Sequence, residues 1–182
     1  MINDHAKEYI EELKKSLDNL PMDKIEEITR QIKEAGLCGK HIFVMGNGGS
    51  SATASHFVCD LAKGSSSKNI YRAVCMTDNV PMLTAWANDT SYAEAFAKQL
   101  EAMVEKDDLV IAFTGSGNSK NVLQAIEYAN KKGAKTIAFT GFDGGKIKHL
   151  AKTCLIVPSD NMERIEDIHL ALCHIIHLYL LI

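Results

Sequence analysis

His41-Ile42-Phe43-Val44-Met45-Gly46-Asn47-Gly48-Gly49-Ser50-Ser51 is the stretch on which the fold turns. His41–Met45 is a short, largely apolar run that stops at Gly46. A strand apolar at consecutive positions is buried on both faces, as in a parallel sheet covered by helices. The glycines then permit a tight turn, and Ser50 and Ser51 open a helix. The pattern recurs along the chain. Tyr71–Met76, Leu109–Phe113, Thr136–Phe139 and Cys154–Val157 are further apolar runs. The middle two end in Thr-Gly, and Pro158 stops the last. Helical spacing lies between them, most clearly Val122, Ala125, Ile126 and Ala129 between Ser119 and Gly133. Helices separating buried strands make right-handed crossovers. The expected fold is therefore α/β, a doubly wound, mostly parallel sheet of about five strands.

Two helices precede this core. Tyr9, Ile10, Leu13, Leu17 and Leu20 recur at helical spacing until Pro21 interrupts. Asp23 is the expected cap of a second helix carrying Ile25, Ile28, Ile32 and Ala35, with Gly36 as its stop. The chain reads as one domain over 1–182, with N-terminal helices in 1–37 and the core and a C-terminal helix in 38–182. Ser65–Ser67 reads as a short flexible loop within it. The 182 residues are 46% hydrophobic and 24% charged, enough to bury a core without staples. Lys and Arg number 20 against 23 Asp and Glu. This balance gives no basic excess for nucleic acid or an anionic membrane. No apolar run approaches the roughly 20 residues of a membrane span. The polar start lacks a signal peptide's apolar core. The five cysteines form no CxxC pair and read mostly as small buried hydrophobes of a reducing cytoplasm. A cytoplasmic location is expected.

In a doubly wound sheet, ligands bind beyond the carboxyl ends of the strands. Two loops there are rich in glycine and hydroxyls: Gly46-Asn47-Gly48-Gly49-Ser50-Ser51 and Thr114-Gly115-Ser116-Gly117-Asn118-Ser119. Each opens a helix, whose first N–H groups and positive dipole end attract an anion. Neither fits the dinucleotide fingerprint GxGxxG with a downstream acid, and neither is a P-loop, since no GK[ST] follows. A small phosphorylated molecule is expected on Asn47, Gly48, Gly49, Ser50, Thr114, Gly115, Ser116 and Ser119. His56 and Asp60 stand at i and i+4 on the helix after the first loop. Glu166 and His174 lie eight residues apart on the last helix, within about 80° of one face. Two imidazoles and two carboxylates make a set able to hold Zn²⁺.

These features, in this order, resemble the SIS (sugar isomerase) family, and most closely its phosphoheptose isomerase branch. The matching stretches include Gly46–Ser50, Ala54–Phe57, Ala87–Asp89, Ser116–Ser119, Thr140–Gly145, Val157–Ser159 and Arg164–His169. The resemblance implies an aldose–ketose isomerase of sedoheptulose 7-phosphate. It places Asn88 and Asp89 near the substrate, and assigns the proton transfer between C1 and C2 to Asp60 and His174. It implies zinc on His56, Asp60, Glu166 and His174, and a homotetramer with sites between subunits. The apolar stripes of the leading and last helices, beyond what one sheet needs, also favour an oligomer. Three positions depart from the family pattern: Asp60 for Glu, Glu166 for Gln, and Gly115 for a hydroxyl residue. An alternative within the family is a non-catalytic phosphosugar-binding protein, such as one that associates with the replication initiator DnaA.

Overall fold

The computed structural model describes residues 2–63 and 71–182; the Ser65–Ser67 stretch lies outside the described residues. Seven helices and five strands alternate among them. They are α1 (Ile2–Asp18), α2 (Met22–Leu37), β1 (His41–Met45), α3 (Gly49–Lys63), β2 (Arg72–Cys75), α4 (Val80–Asp89), α5 (Ala95–Glu101), β3 (Leu109–Phe113), α6 (Lys120–Lys131), β4 (Lys135–Thr140), β5 (Thr153–Ile156) and α7 (Met162–Leu180). A 3₁₀ turn at Ile147–His149 joins β4 to β5. The sheet order is β2-β1-β3-β4-β5, and every pair is parallel. Order reverses at β1, so the loops after β1 and β3 open side by side at the carboxyl edge, where such sheets bind ligands.

Strand alternation divides the core in two. Ile42, Val44, Leu109, Ile111, Phe113, Ile137 and Phe139 face α2, α3 and α7. Phe43, Met45, Val110, Ala112 and Ala138 face α5 and α6. The central strands β1, β3 and β4 are therefore buried on both sides, as their apolar runs predict. The edge strand β2 is open on one face, where Arg72 and Val74 are exposed, and packed on the other through Ala73 and Cys75. The period-2 exposure of β5 likewise marks it as an edge.

Local chemistry sets the element ends, not always as the sequence suggests. Ser119 precedes α6 in extended backbone, and Gly133 takes the left-handed conformation after it, both as read from the sequence. At α2 the expected signals shift. Pro21 occupies the cap position with no side-chain bond, and Asp23 lies inside the first turn. The left-handed glycine is Gly39 rather than Gly36. Gly36 lies within α2, and a Cβ there would sit 2.5 Å from the Tyr71 ring; it is small for packing, not for turning. α7 begins at Asn161, whose Oδ1 accepts the Arg164 N–H at 2.9 Å. We expect Asn161→Ala to cost about 1 kcal/mol, read as a lower urea midpoint with an unchanged m-value.

α7 buries Ile165, Ile168, His169, Leu172, Cys173 and Ile176 against the sheet, whereas Tyr179 is exposed. His169 packs on Phe113 and Phe139, and burial pushes its pKa down to about 4. It is a neutral packing group. All five cysteines are free; Cys75 and Cys173 are buried, but Cys38 and Cys59 are exposed, against the expectation for most of them. α1 buries only Ser16, with Ile10 and Leu17 open, and α4 buries nothing. Among the described residues no helix is long and apolar enough to cross a membrane.

Candidate active site

The β1–α3 loop turns at Gly48, which takes a positive φ of 56°. A Cβ on Gly46 would lie 2.4 Å from the Ser50 carbonyl oxygen, so the chain doubles back this tightly only with glycine there. The β3–α6 loop turns at Gly117, also left-handed, and packs on the loop after β4: a Cβ at Gly117 would meet the Gly144 carbonyl at 2.3 Å. The Gly141 N–H and the Thr140 hydroxyl both donate to the Gly115 carbonyl. The Thr140–Gly145 stretch is thus the buttress of the serine loop, with Gly144 and Gly145 both at positive φ.

Asn47, Ser50, Thr114, Gly115, Ser116, Ser119 and Glu166 line one small cleft of ≈ 120 Å³ between the two loops and the start of α7. The Ser119 side chain makes no capping bond to α6, so its hydroxyl is free for a ligand, whereas the Val122 N–H in the first turn of that helix is taken by Asn121 Oδ1. Gly48 and Gly49 belong to the same loop, and Gly49 lies against the Glu166 carboxylate, where a Cβ would be 2.4 Å from Oε2. At Gly115 a Cβ would fall 2.3 Å from the Met162 sulfur. Met162 therefore fills the space that a hydroxyl residue at 115 would need. A larger groove, ≈ 690 Å³, lies between α1 and the segment around Pro158 and holds none of these loop residues.

Two turns further along the same two helices a second cluster forms. Glu166 meets Gly49 at one end, and His174 meets His56 and Asp60 at the other, so α3 and α7 run side by side in the same direction. The His56 and His174 Nε2 atoms are 2.8 Å apart. Asp60 Oδ2 lies 3.3 Å from the first and 4.0 Å from the second. That carboxylate oxygen is buried and has no hydrogen-bond partner. Three ligand atoms thus converge within 4.8 Å. Neighbouring ligand atoms on tetrahedral zinc are separated by about 3.3 Å, so the cluster has the right size, and the orphaned oxygen has a reason to be there. Glu166 lies outside this three-residue group, on the loop side of the cleft.

Asn88 and Asp89 do not line the cleft. They end α4, exposed, with the Asn88 amide donating to Asp89 at 3.0 Å. The turn after them does reach the site: the Tyr92 hydroxyl donates to Asn47 Oδ1 at 2.7 Å. Asn121, 3% exposed, pairs with Asn47 from the other side. Neither residue is singled out by the sequence reading. A polar residue in the first turn of the helix after the serine loop is a usable signal for Asn121. Tyr92 has none, because its partner is 45 residues away.

This fold and cleft define an α/β domain with a hydroxyl-lined cleft at the carboxyl edge of its parallel sheet. The chain belongs to the SIS domain family, which matches residues 7–141. Within it the chain groups with the phosphoheptose isomerases and is an isomerase. It is 40% identical over 172 residues to a probable phosphoheptose isomerase of Thermoplasma acidophilum, covering 94% of each chain. It is 41% identical over 167 residues to the phosphoheptose isomerase of Helicobacter pylori strain P12, covering 91% of this chain and 86% of that one. The structure of a phosphoheptose isomerase from Francisella tularensis superposes with a TM-score of 0.90 at 30% identity, over 99% of this chain and 96% of that one.

Proposed function

We propose that the chain interconverts sedoheptulose 7-phosphate and D-glycero-D-manno-heptose 7-phosphate. One observation carries this reading: α3 and α7 each contribute both to the hydroxyl-lined cleft and to the His56–Asp60–His174 cluster. Gly49 and His56 are separated by about 10 Å of helix axis. That separation suits the two ends of an extended phosphorylated sugar, with phosphate on Ser50, Thr114, Ser116 and Ser119 and the carbonyl end at the cluster. Asp60 and His174 move the proton between C1 and C2 through an enediolate. His56, Asp60 and His174 are the residues that would hold Zn²⁺, which when bound supplies Lewis-acid polarisation of the carbonyl. Glu166 borders the phosphate end, where its carboxylate strengthens the attraction for a cation and weakens it for the substrate phosphate. Metal analysis of the purified protein combined with turnover of the ketose phosphate tests the reading; a metal-replete protein that leaves sedoheptulose 7-phosphate unchanged contradicts it.

The working form is a cytoplasmic homotetramer in this account. The support is the apolar surface left open on α1, α4 and α7: Ile10, Val80, Met82, Ile175, Leu178 and Tyr179 are all exposed. Burying such patches at about 25 cal/mol per Å² drives association. Light scattering at micromolar concentration should give a mass near four chains; a monodisperse 20.0 kDa species contradicts this.

A further inference from the structure

We propose that Tyr92 and Asn121 are positioning residues of the isomerase site, acting through the side-chain amide of Asn47. The inference rests on the isomerase reading above. It begins at a backbone group. The Val122 N–H can only donate, and it meets the Asn121 side chain at 3.0 Å, so the atom facing it is the amide oxygen. The Asn121 amino group must then face Asn47, where it donates to Oδ1 at 2.8 Å. The Asn47 amino group returns a bond to Asn121 Oδ1 at 2.9 Å. The reciprocal pair fixes both amides in one orientation, which an isolated asparagine cannot do.

Tyr92 completes the arrangement. Its hydroxyl supplies the second donor to Asn47 Oδ1, at 2.7 Å. Both lone pairs of that oxygen are then engaged, and one of the two amino hydrogens is used. Asn47 lines the cleft with Ser50, Thr114 and Ser116. Its remaining amide N–H is the side-chain hydrogen left for a ligand, and its direction is set by residues on two other elements. Asn121 carries α6, the helix that opens behind the serine loop, and Tyr92 carries the turn after α4. Asn47 therefore ties the two phosphate-side loops together while presenting a pre-oriented donor, which lowers the cost of ordering the loop when substrate arrives.

A positioning role has a signature that general stabilisation lacks: it vanishes when the positioned group is gone. Sedoheptulose 7-phosphate turnover is measured for the wild type, Tyr92→Phe, Asn47→Ala and the double variant. Tyr92→Phe should lower kcat/KM about five- to tenfold, the worth of one neutral hydrogen bond, carried mostly by KM. The same change in the Asn47→Ala background should cost less than about twofold. Tyr92 is half exposed, so its variant should keep the wild-type unfolding midpoint. Asn121→Asp retains the acceptor for Val122 but loses the donor to Asn47, and should raise KM in the same way. Titrating the five proteins with the ketose phosphate in a calorimeter reads the same pattern in Kd where turnover is low. An unchanged kcat/KM and Kd in Tyr92→Phe, or the same loss with and without Asn47, overturns the proposal. A wild type that neither binds nor turns over the ketose phosphate overturns the isomerase reading instead.

Discussion

Asp60→Asn and His174→Ala should each lower kcat about 100-fold or more, as loss of a general acid or base does. Asp60 contributes the one buried, unpartnered carboxylate oxygen of the cluster, 3.3 Å from His56 and 4.0 Å from His174. Asparagine keeps the shape but removes the negative charge and the basic oxygen. His174 lies 2.8 Å from His56 through Nε2, and alanine removes one of three converging ligand atoms as well as the proton carrier. Both variants should still bind the phosphorylated sugar, because the loops around Ser50 and Ser116 are untouched. A raised KM with kcat preserved would mean that the cluster holds substrate without moving its proton.

The strands and the cleft between the two glycine loops were legible because both depend on local patterning. The run ending at Gly46 is β1 to the residue, and the glycines that follow turn where expected. The pair at i and i+4 and the pair eight residues apart read correctly as faces, but spacing on two separate helices does not tell how far one slides along the other. The observed offset sets His174 against His56 and Asp60, and leaves Glu166 at Gly49. Strand order, the reach of Tyr92 to Asn47 and the use of Gly36 against Tyr71 are long-range contacts with no local signature. The leading helices show the reverse: α1 has a clear apolar stripe, yet the chain alone supplies little to cover it.

Ser116→Ala together with Ser119→Ala should weaken a phosphorylated ligand by at most about 3–6 kcal/mol, from two hydrogen bonds to a charged group. The same pair of changes should leave the affinity for the free sugar nearly untouched. Ser119 makes no capping bond, and the Ser116 oxygen accepts only a 3.3 Å contact from the Asn118 N–H, so both hydroxyl hydrogens are available. The α6 N-terminus remains in the double variant and retains part of the attraction. Calorimetry with sedoheptulose 7-phosphate and with sedoheptulose separates the cases, and equal weakening of both would remove the phosphate from this loop.

The proposed function requires one cleft, built by two loops and two helices, to carry aldose–ketose isomerisation of a phosphorylated heptose. The most direct measurement follows sedoheptulose 7-phosphate by NMR in the presence of the wild-type protein and of Asp60→Asn. The wild type should approach a ketose–aldose equilibrium at a rate about 100-fold or more above the variant. An unchanged ketose spectrum with the wild type, or equal rates for the two proteins, would contradict it.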